Sequence, residues 1–293
     1  MLDATYIWLN QIGRITNDLL FRIAYISLFI FAIELVISLP ASSKISFTLA
    51  YPLIGDAPAH DDGPISTVKV AERPSRNLLI QYTLGKINDE RSKVHLPLLK
   101  LSDNKAAQIH AEELLRTKNR EPSHFSTNGM KPYMTYSLYG GRGYVEQNVA
   151  ISGYDNNESI NCKALRCAKL NPYEQISKIQ WSMMYNDSEC CHNRHRINIL
   201  DDHHTHVSIG IAYNDYHFAM VENFENNYVK LNEPITQDNK HINFLGRIEL
   251  PTNKTYTIDT IAIYYDPIPS ASFYEQNKNA KSYSLGNPFG VGG

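Results

Sequence analysis

The stretch Thr205-His206-Val207-Ser208-Ile209-Gly210-Ile211-Ala212-Tyr213 decides the fold. Val207, Ile209, Ile211 and Tyr213 alternate with Ser208, Gly210 and Ala212, the period of two that marks a strand. Asn214-Asp215 supplies a turn, and Phe218, Met220 and Phe224 continue on a return strand. One face of this hairpin is bulky and the other is small. The small face lets a helix or loop approach closely.

Upstream of the hairpin the apolar spacing is helical. A first helix begins near Ser75, with Leu79, Tyr82, Ile87 and their neighbours at helical intervals, and Pro97 closes it. Ser102 or Asp103 is placed to cap a second helix, whose stripe is Ala106, Ala107, Ile109, Ala111, Leu114 and Leu115. His110 lies on that helix and reads as a packed residue. Pro172 to Met184 reads as a third helix, with Ile176, Ile179 and Met183 on one face. Gly140-Gly141-Arg142-Gly143 marks a tight backbone passage and lacks the pattern of a phosphate loop. Downstream, Arg247 to Leu250 and Tyr256 to Tyr265 are candidate strands. Pro267, Pro269 and the glycine-rich end read as irregular chain.

The 293 residues suffice for one large domain or two smaller ones. A formal net charge of −2, with no run of Lys or Arg, argues against a nucleic-acid partner. From Ile23 to Leu39 the chain is apolar except for Ser27, Glu34 and Ser38, with Arg14 and Arg22 before it. That pattern fits a signal peptide or a single N-terminal anchor within residues 1–43 and predicts an extracytoplasmic chain. Any membrane contact is expected through this segment alone. Residues 44–74, rich in Pro, Ala, Ser, Asp and Gly, read as a linker. The main domain is expected over 75–225, with a small β-rich appendage over 226–293.

The four cysteines, Cys162, Cys167, Cys190 and Cys191, suit disulfides in an oxidising compartment. Cys162 can close a short loop to Cys167. The adjacent Cys190 and Cys191 are expected to pair elsewhere, because a bond between neighbours is strained. Spacing does not choose among the three pairings.

Three residues carry the chemistry: His124 in Pro122-Ser123-His124-Phe125-Ser126, Glu146 in Tyr144-Val145-Glu146-Gln147-Asn148, and His195 in His195-Arg196-Ile197-Asn198-Ile199-Leu200. Two imidazoles and a carboxylate in one cleft suit a divalent metal such as Zn²⁺ or acid–base work. His124 and His195 are then the candidate metal ligands and Glu146 the candidate base. In His203-His204-x-His206, strand geometry puts His204 and His206 on one face and His203 on the other, too few donors for a cage.

The order of these segments resembles the CAP superfamily, the SCP-like extracellular or pathogenesis-related-1-like domains, most closely a prokaryotic, archaeal-type branch. The resemblance rests on Ile87-Asn88-Asp89-Glu90-Arg91, His124-Phe125-Ser126-Thr127-Asn128-Gly129, Glu146-Gln147-Asn148-Val149-Ala150 and His195-Arg196-Ile197-Asn198-Ile199-Leu200. It implies a three-layer α-β-α sandwich of the α+β class. It also implies a cleft tetrad in which His124 and His195 match the histidines and Glu146 the first acid. The second acid is expected three residues after Trp181, where Met184 stands. Asp187 or Glu189 can substitute sterically. The main reading is an exported binding module for a lipid, peptide or cell-surface ligand. A metal-dependent peptidase or esterase in the same cleft and a non-catalytic scaffold are the alternatives.

Overall fold

The computed structural model describes residues 73–117, 122–154, 162, 164, 166–233, 235–237, 242–243, 245–249 and 261–292. The expected signal or anchor and nearly all of the linker lie outside these residues. Among the described residues no helix is long and apolar enough to cross a membrane.

The first helix, α1, runs Arg76–Lys93 behind the N-cap Ser75. Its buried stripe is Leu79, Thr83, Ile87 and Arg91, one residue per turn. Strand β1 (Lys100–Leu101) follows, then α2 (Ala106–Arg116). The cap of α2 differs from the sequence reading. Ser102 accepts from the Asn104 amide at 3.3 Å, and the Asn104 side chain accepts from the Ala106 amide at 2.9 Å. Any Asx or Ser side chain just ahead of the first turn can take that amide, so sequence alone does not choose. Next come α3 (Pro132–Leu138) and the long strand β2 (Tyr144–Gly153). Asn171 caps α4 (Pro172–Tyr185), and two short helices, α5 (Ser188–Cys191) and α6 (Arg194–Leu200), lead into the hairpin.

That hairpin is β3 (His206–Tyr213) and β4 (His217–Asn226), antiparallel with Gly210 opposite Val221. The central sheet has the order β1-β3-β4-β2, with β1 parallel to β3 and β2 antiparallel to β4. Its bulky face presents Val207, Ile209, Ile211, Phe218, Met220 and Phe224 to Leu79 and Ile87 of α1, Ile176 and Met183 of α4, and Ile199 of α6. Its small face packs Ala212, Ala219 and Val221 against Ala107, Ala111 and Leu114 of α2. Gly210 is what permits that approach, since a Cβ there would strike the carbonyl of Ala107. The result is a three-layer α-β-α sandwich of the α+β class.

Beyond Asn226 the pairing is local. Strand β5 (Val229–Leu231) pairs with β8 (Gly246–Ile248), and β6 (Thr236–Gln237) with β7 (Ile242–Asn243). Strand β9 (Ile261–Tyr265) then pairs with β10 (Asn287–Gly292), with α7 (Ala271–Asn277) between them. The tail expected to be irregular therefore holds a helix and a strand. Ser270 caps α7 through the Phe273 amide, and the register with β9 overrides the weak strand propensity of Pro288 and Gly290.

The tail is fastened to the domain. Lys131 Nζ lies 2.6 Å from Asp266 Oδ1 and donates to the Ser284 carbonyl at 2.9 Å, while the Tyr133 hydroxyl donates to Asp266. Phe125 meets Phe273 edge-on at 5.6 Å. All of these partners sit on, or just after, the loop that carries His124.

Candidate functional site

His124 is positioned from behind by α2. His110 of that helix is buried and its Nε2 lies 2.8 Å from the Ser123 carbonyl, so it does packing work. Glu113, one turn on, accepts from the amide and hydroxyl of Thr127. Burial works against its charge, but bonds from His110 and Thr127 outweigh that and hold Glu113 down to about 2. Between these anchors the ring of His124 points its Nδ1 at Oε1 of Gln147, 3.0 Å away. Gln147 in turn donates to Asn223 at 3.0 Å. Tyr283 of the tail packs edge-on to the His124 ring, centroids 5.3 Å apart. Burial lowers the His124 pKa to about 4, and the proximity of His110, His195 and Lys281 adds to the effect against the Gln147 bond. At neutral pH this imidazole is uncharged.

His124 was expected beside Glu146; the side chain hydrogen-bonded to it is Gln147. Successive residues of a strand face opposite sides of the sheet. Gln147 faces His124, so Glu146 turns the other way. The acid of the motif stands one residue early, and a carboxamide occupies the place beside the histidine.

His195 opens α6 on the opposite face of the sheet. Its Nδ1 lies 2.6 Å from Oδ1 of Asp187, and its backbone amide donates to Oδ2 at 2.9 Å. Asp187 is buried. The sequence reading named Asp187 or Glu189 as steric substitutes for a missing second acid; Asp187 is the one that meets the histidine. Met184, at the place the resemblance reserves for that acid, lies in the core. Arg194, just before it, is exposed. Cys190 and Cys191 are bonded to each other, and Cys162 to Cys167. The first pair corrects the expectation that neighbours pair elsewhere. The short helix α5 ends in His192 and Asn193, both in the left-handed region at φ 53° and 61°, which turns the chain back within reach of Asp187.

Glu146 joins a different set. The Tyr144 hydroxyl donates to its Oε1 at 2.7 Å, and its Oε2 lies 3.5 Å from Nε2 of His204. One oxygen of Asp201 comes within 4.8 Å of both. His204 precedes β3 rather than sharing a strand face with His206, whose Nδ1 meets Thr205 at 2.9 Å. His203 is exposed and held by Asp201 and Asp202 at 2.8 and 3.0 Å.

Among the described residues no acidic or cysteine donor completes a three-ligand set with His124 and His195 together. Among the described residues His124 belongs to no cluster of three or more acidic, histidine or cysteine donors. Beside His195, Asp187 is engaged on the ring's own Nδ1, and bonded cysteines are not thiolate ligands. Candidate metal-ligand groupings do exist elsewhere, at Glu146–Asp201–His204 and at Asp201–Asp202–His203. Gln147, Tyr283, Asn226 and Tyr144, which hold these rings and carboxylates, are the residues the sequence reading missed. Gln147 was within reach of it, as the neighbour of Glu146 in a strand of period two.

An open groove of about 660 Å³ runs along the outer face of α6. Arg196, Ile197, Leu200, Asp201, Asp202 and His203 line it. Ile197 is 57% exposed there, a large apolar side chain among charges.

Residues 84–224 match the CAP family, described as the Cysteine-rich secretory protein family. A solved structure of an extracellular protein containing a SCP domain, from Bacillus anthracis str. Ames, is 18% identical with a TM-score of 0.34. That match covers 52% of this chain and 41% of the other, less than half the length of that protein. No curated protein matches the chain. The tandem of the His124 loop, strand β2, the His195 helix and the β3–β4 hairpin thus falls inside one family match, and the chain carries a domain of the CAP superfamily.

Proposed function

We propose that the chain is an exported binding module that takes an amphipathic peptide in the groove along α6, and that it is not a hydrolase acting through His124. One observation carries this reading: His124 is bonded to the carboxamide of Gln147. A carboxamide carries no charge to stabilise an imidazolium, so His124 is a weak general base. The ring is also held uncharged, and Tyr283 packs edge-on against it. The exposed feature is the groove. Its mixture of Ile197 and Leu200 with Arg196, Asp201 and Asp202 suits a peptide with an apolar side chain between charged ones. An acyl chain calls for an enclosed apolar tunnel, which an open, charge-rimmed groove does not offer. Export is supported by the CAP family itself, by the bonded cysteines and by the apolar run from Ile23 to Leu39.

A display library of random peptides, panned on the full chain, tests the reading. Recovered peptides are expected to share an apolar residue flanked by charges, and Ile197→Asp is expected to weaken them at least about tenfold, the scale of one lost apolar anchor. Peptides that bind the Ile197→Asp chain as well as the parent would overturn the groove.

A second reading has its own support. Asp187 fixes the ring of His195 at 2.6 Å, the orientation a general base needs. Turnover of an ester or peptide panel that disappears in both His195→Ala and Asp187→Asn would favour hydrolysis by that pair.

A further inference from the structure

Glu146, Asp201 and His204 meet where β2 and the start of β3 approach, and each is held with one ligand atom left over. The Nδ1 of His204 lies 2.6 Å from Oδ1 of Asn226, an oxygen that only accepts, so Nδ1 carries the proton and Nε2 presents a lone pair. The imidazole side chain is 0% exposed, it stacks on Phe224, and Nε2 has no hydrogen-bond partner. Glu146 Oε2, at 3.5 Å, is too distant and too poorly placed to serve as one. A buried nitrogen left in this way is costly unless something occupies it.

The carboxylates are arranged in the same manner. Tyr144 occupies Oε1 of Glu146 and leaves Oε2 toward His204. His203 occupies Oδ1 of Asp201 through its backbone amide and ring, both at 2.8 Å, and no hydrogen bond among the described residues holds Oδ2. Arg91, buried beneath α6, donates to the backbone carbonyl of Asp201 at 2.8 Å and fixes the residue from behind. The three ligand atoms lie within 4.8 Å of one another. Asn226, Tyr144, His203 and Arg91 are thus the outer partners that orient a metal's ligands.

We infer that Glu146, Asp201 and His204 bind one divalent cation of the zinc or manganese class. One imidazole nitrogen and two carboxylate oxygens are the donor set those ions accept, and the two negative charges balance the ion. Three protein ligands leave a further position open, and Asp201 also lines the groove on α6. The ion would stand at one end of that groove. The inference does not rest on the peptide reading, since binding of the ion is read on the protein alone. It sets the ion apart from the His124–His195 pair, because Glu146 and Gln147 face opposite sides of β2.

Equilibrium dialysis of the full chain against ZnCl₂ and MnCl₂ at neutral pH, with the bound metal counted, is the test. The parent chain is expected to retain one ion per molecule that a chelator removes. Glu146→Gln keeps the size of the side chain and its bond from Tyr144, and is expected to weaken that ion at least about tenfold, as for metal sites that lose a partner. Asp201→Asn is expected to do the same. Asp202→Asn and Asp187→Asn are expected to leave it in place, which separates this site from the exposed Asp201–Asp202–His203 grouping and from His195. Circular dichroism confirms the fold of each variant, and Asp201→Asn read against Asp202→Asn decides the matter should Glu146→Gln fail to fold. A parent chain that retains no stoichiometric ion, a folded Glu146→Gln chain that binds as tightly as the parent, or a loss in Asp202→Asn equal to that in Asp201→Asn overturns the inference.

Discussion

His124 Nδ1 lies 3.0 Å from Gln147 Oε1, while the neighbouring Glu146 turns through the plane of the sheet toward His204. Strand alternation makes these two facts one. Replacing Gln147 by Glu should return a carboxylate to the histidine. The His124 pKa, about 4 in the parent, is then expected to rise by at least about one unit, because an adjacent negative charge favours the imidazolium. Titration of the His124 ring signals by NMR in the two chains checks this. No upward movement would show that the two side chains do not pair.

His124 and Glu222 should give the chain opposing slopes of stability with pH. The folded pKa of His124 is about 4 against an ordinary 6.5, chiefly through burial. Between those values the unfolded chain binds more protons, so its share of stability falls as the pH drops from 6.5 to 4. Glu222 is wholly buried, and burial raises its carboxyl to about 7 against the bonds from Gln180 and Asn148. Here the folded chain binds more protons, so stability falls as the pH rises from 4.5 to 7. Denaturant unfolding of the parent, His124→Gln and Glu222→Gln at several pH values separates the two. The parent's advantage over His124→Gln should shrink toward pH 4, and its advantage over Glu222→Gln should shrink toward pH 7. Differences that stay flat across those windows contradict the assignment.

Asp266 is the clasp of the tail. Its side chain is buried against Lys131 and Tyr133, so Asp266→Ala leaves a buried ammonium without its partner. The cost is expected to be about 3 kcal/mol. Because Tyr283 lies in the same fastened segment, limited proteolysis should cleave the tail of this variant sooner than the parent's and expose His124. Equal cleavage rates would mean the clasp does not hold the tail.

Gly210→Ala should be among the most damaging single-methyl changes available. The added Cβ meets the backbone of α2 at Ala107, which no side-chain rotation relieves. A loss of about 2–3 kcal/mol or more is expected from this overpacking. Thermal unfolding measures it, and a melting temperature within a degree of the parent's would refute the close packing of α2 on β3.

The layers were legible in the sequence because they rest on periodicity. Ser208, Gly210 and Ala212 announced a close approach, and α2 makes it. The helices over 76–93 and 172–185 follow their apolar stripes and their caps at Ser75 and Asn171. The site was less legible. The reading placed an acid beside His124 by motif order, and a motif written in letters does not record which side of the sheet a residue faces. Asp187 reaches His195 because His192 and Asn193 turn the chain, and although His and Asn tolerate the left-handed region, their presence alone does not announce such a turn. The pairing of Cys190 with Cys191 was likewise out of reach. The tail over 261–292 takes its form from Asp266, Tyr283 and the β9–β10 register, contacts distant in sequence that composition does not encode.

Two histidines are held differently: His124 is bonded to an amide, and His204 turns a free nitrogen toward Glu146 and Asp201. Nitrogen-15 NMR of the histidine rings, recorded at neutral pH before and after one equivalent of zinc, tests this difference most directly. The expected spectrum shows Nε2 of His204 moving to a ligated shift while the rings of His124 and His195 keep theirs. Joint movement of His124 and His195, with His204 unchanged, would contradict it.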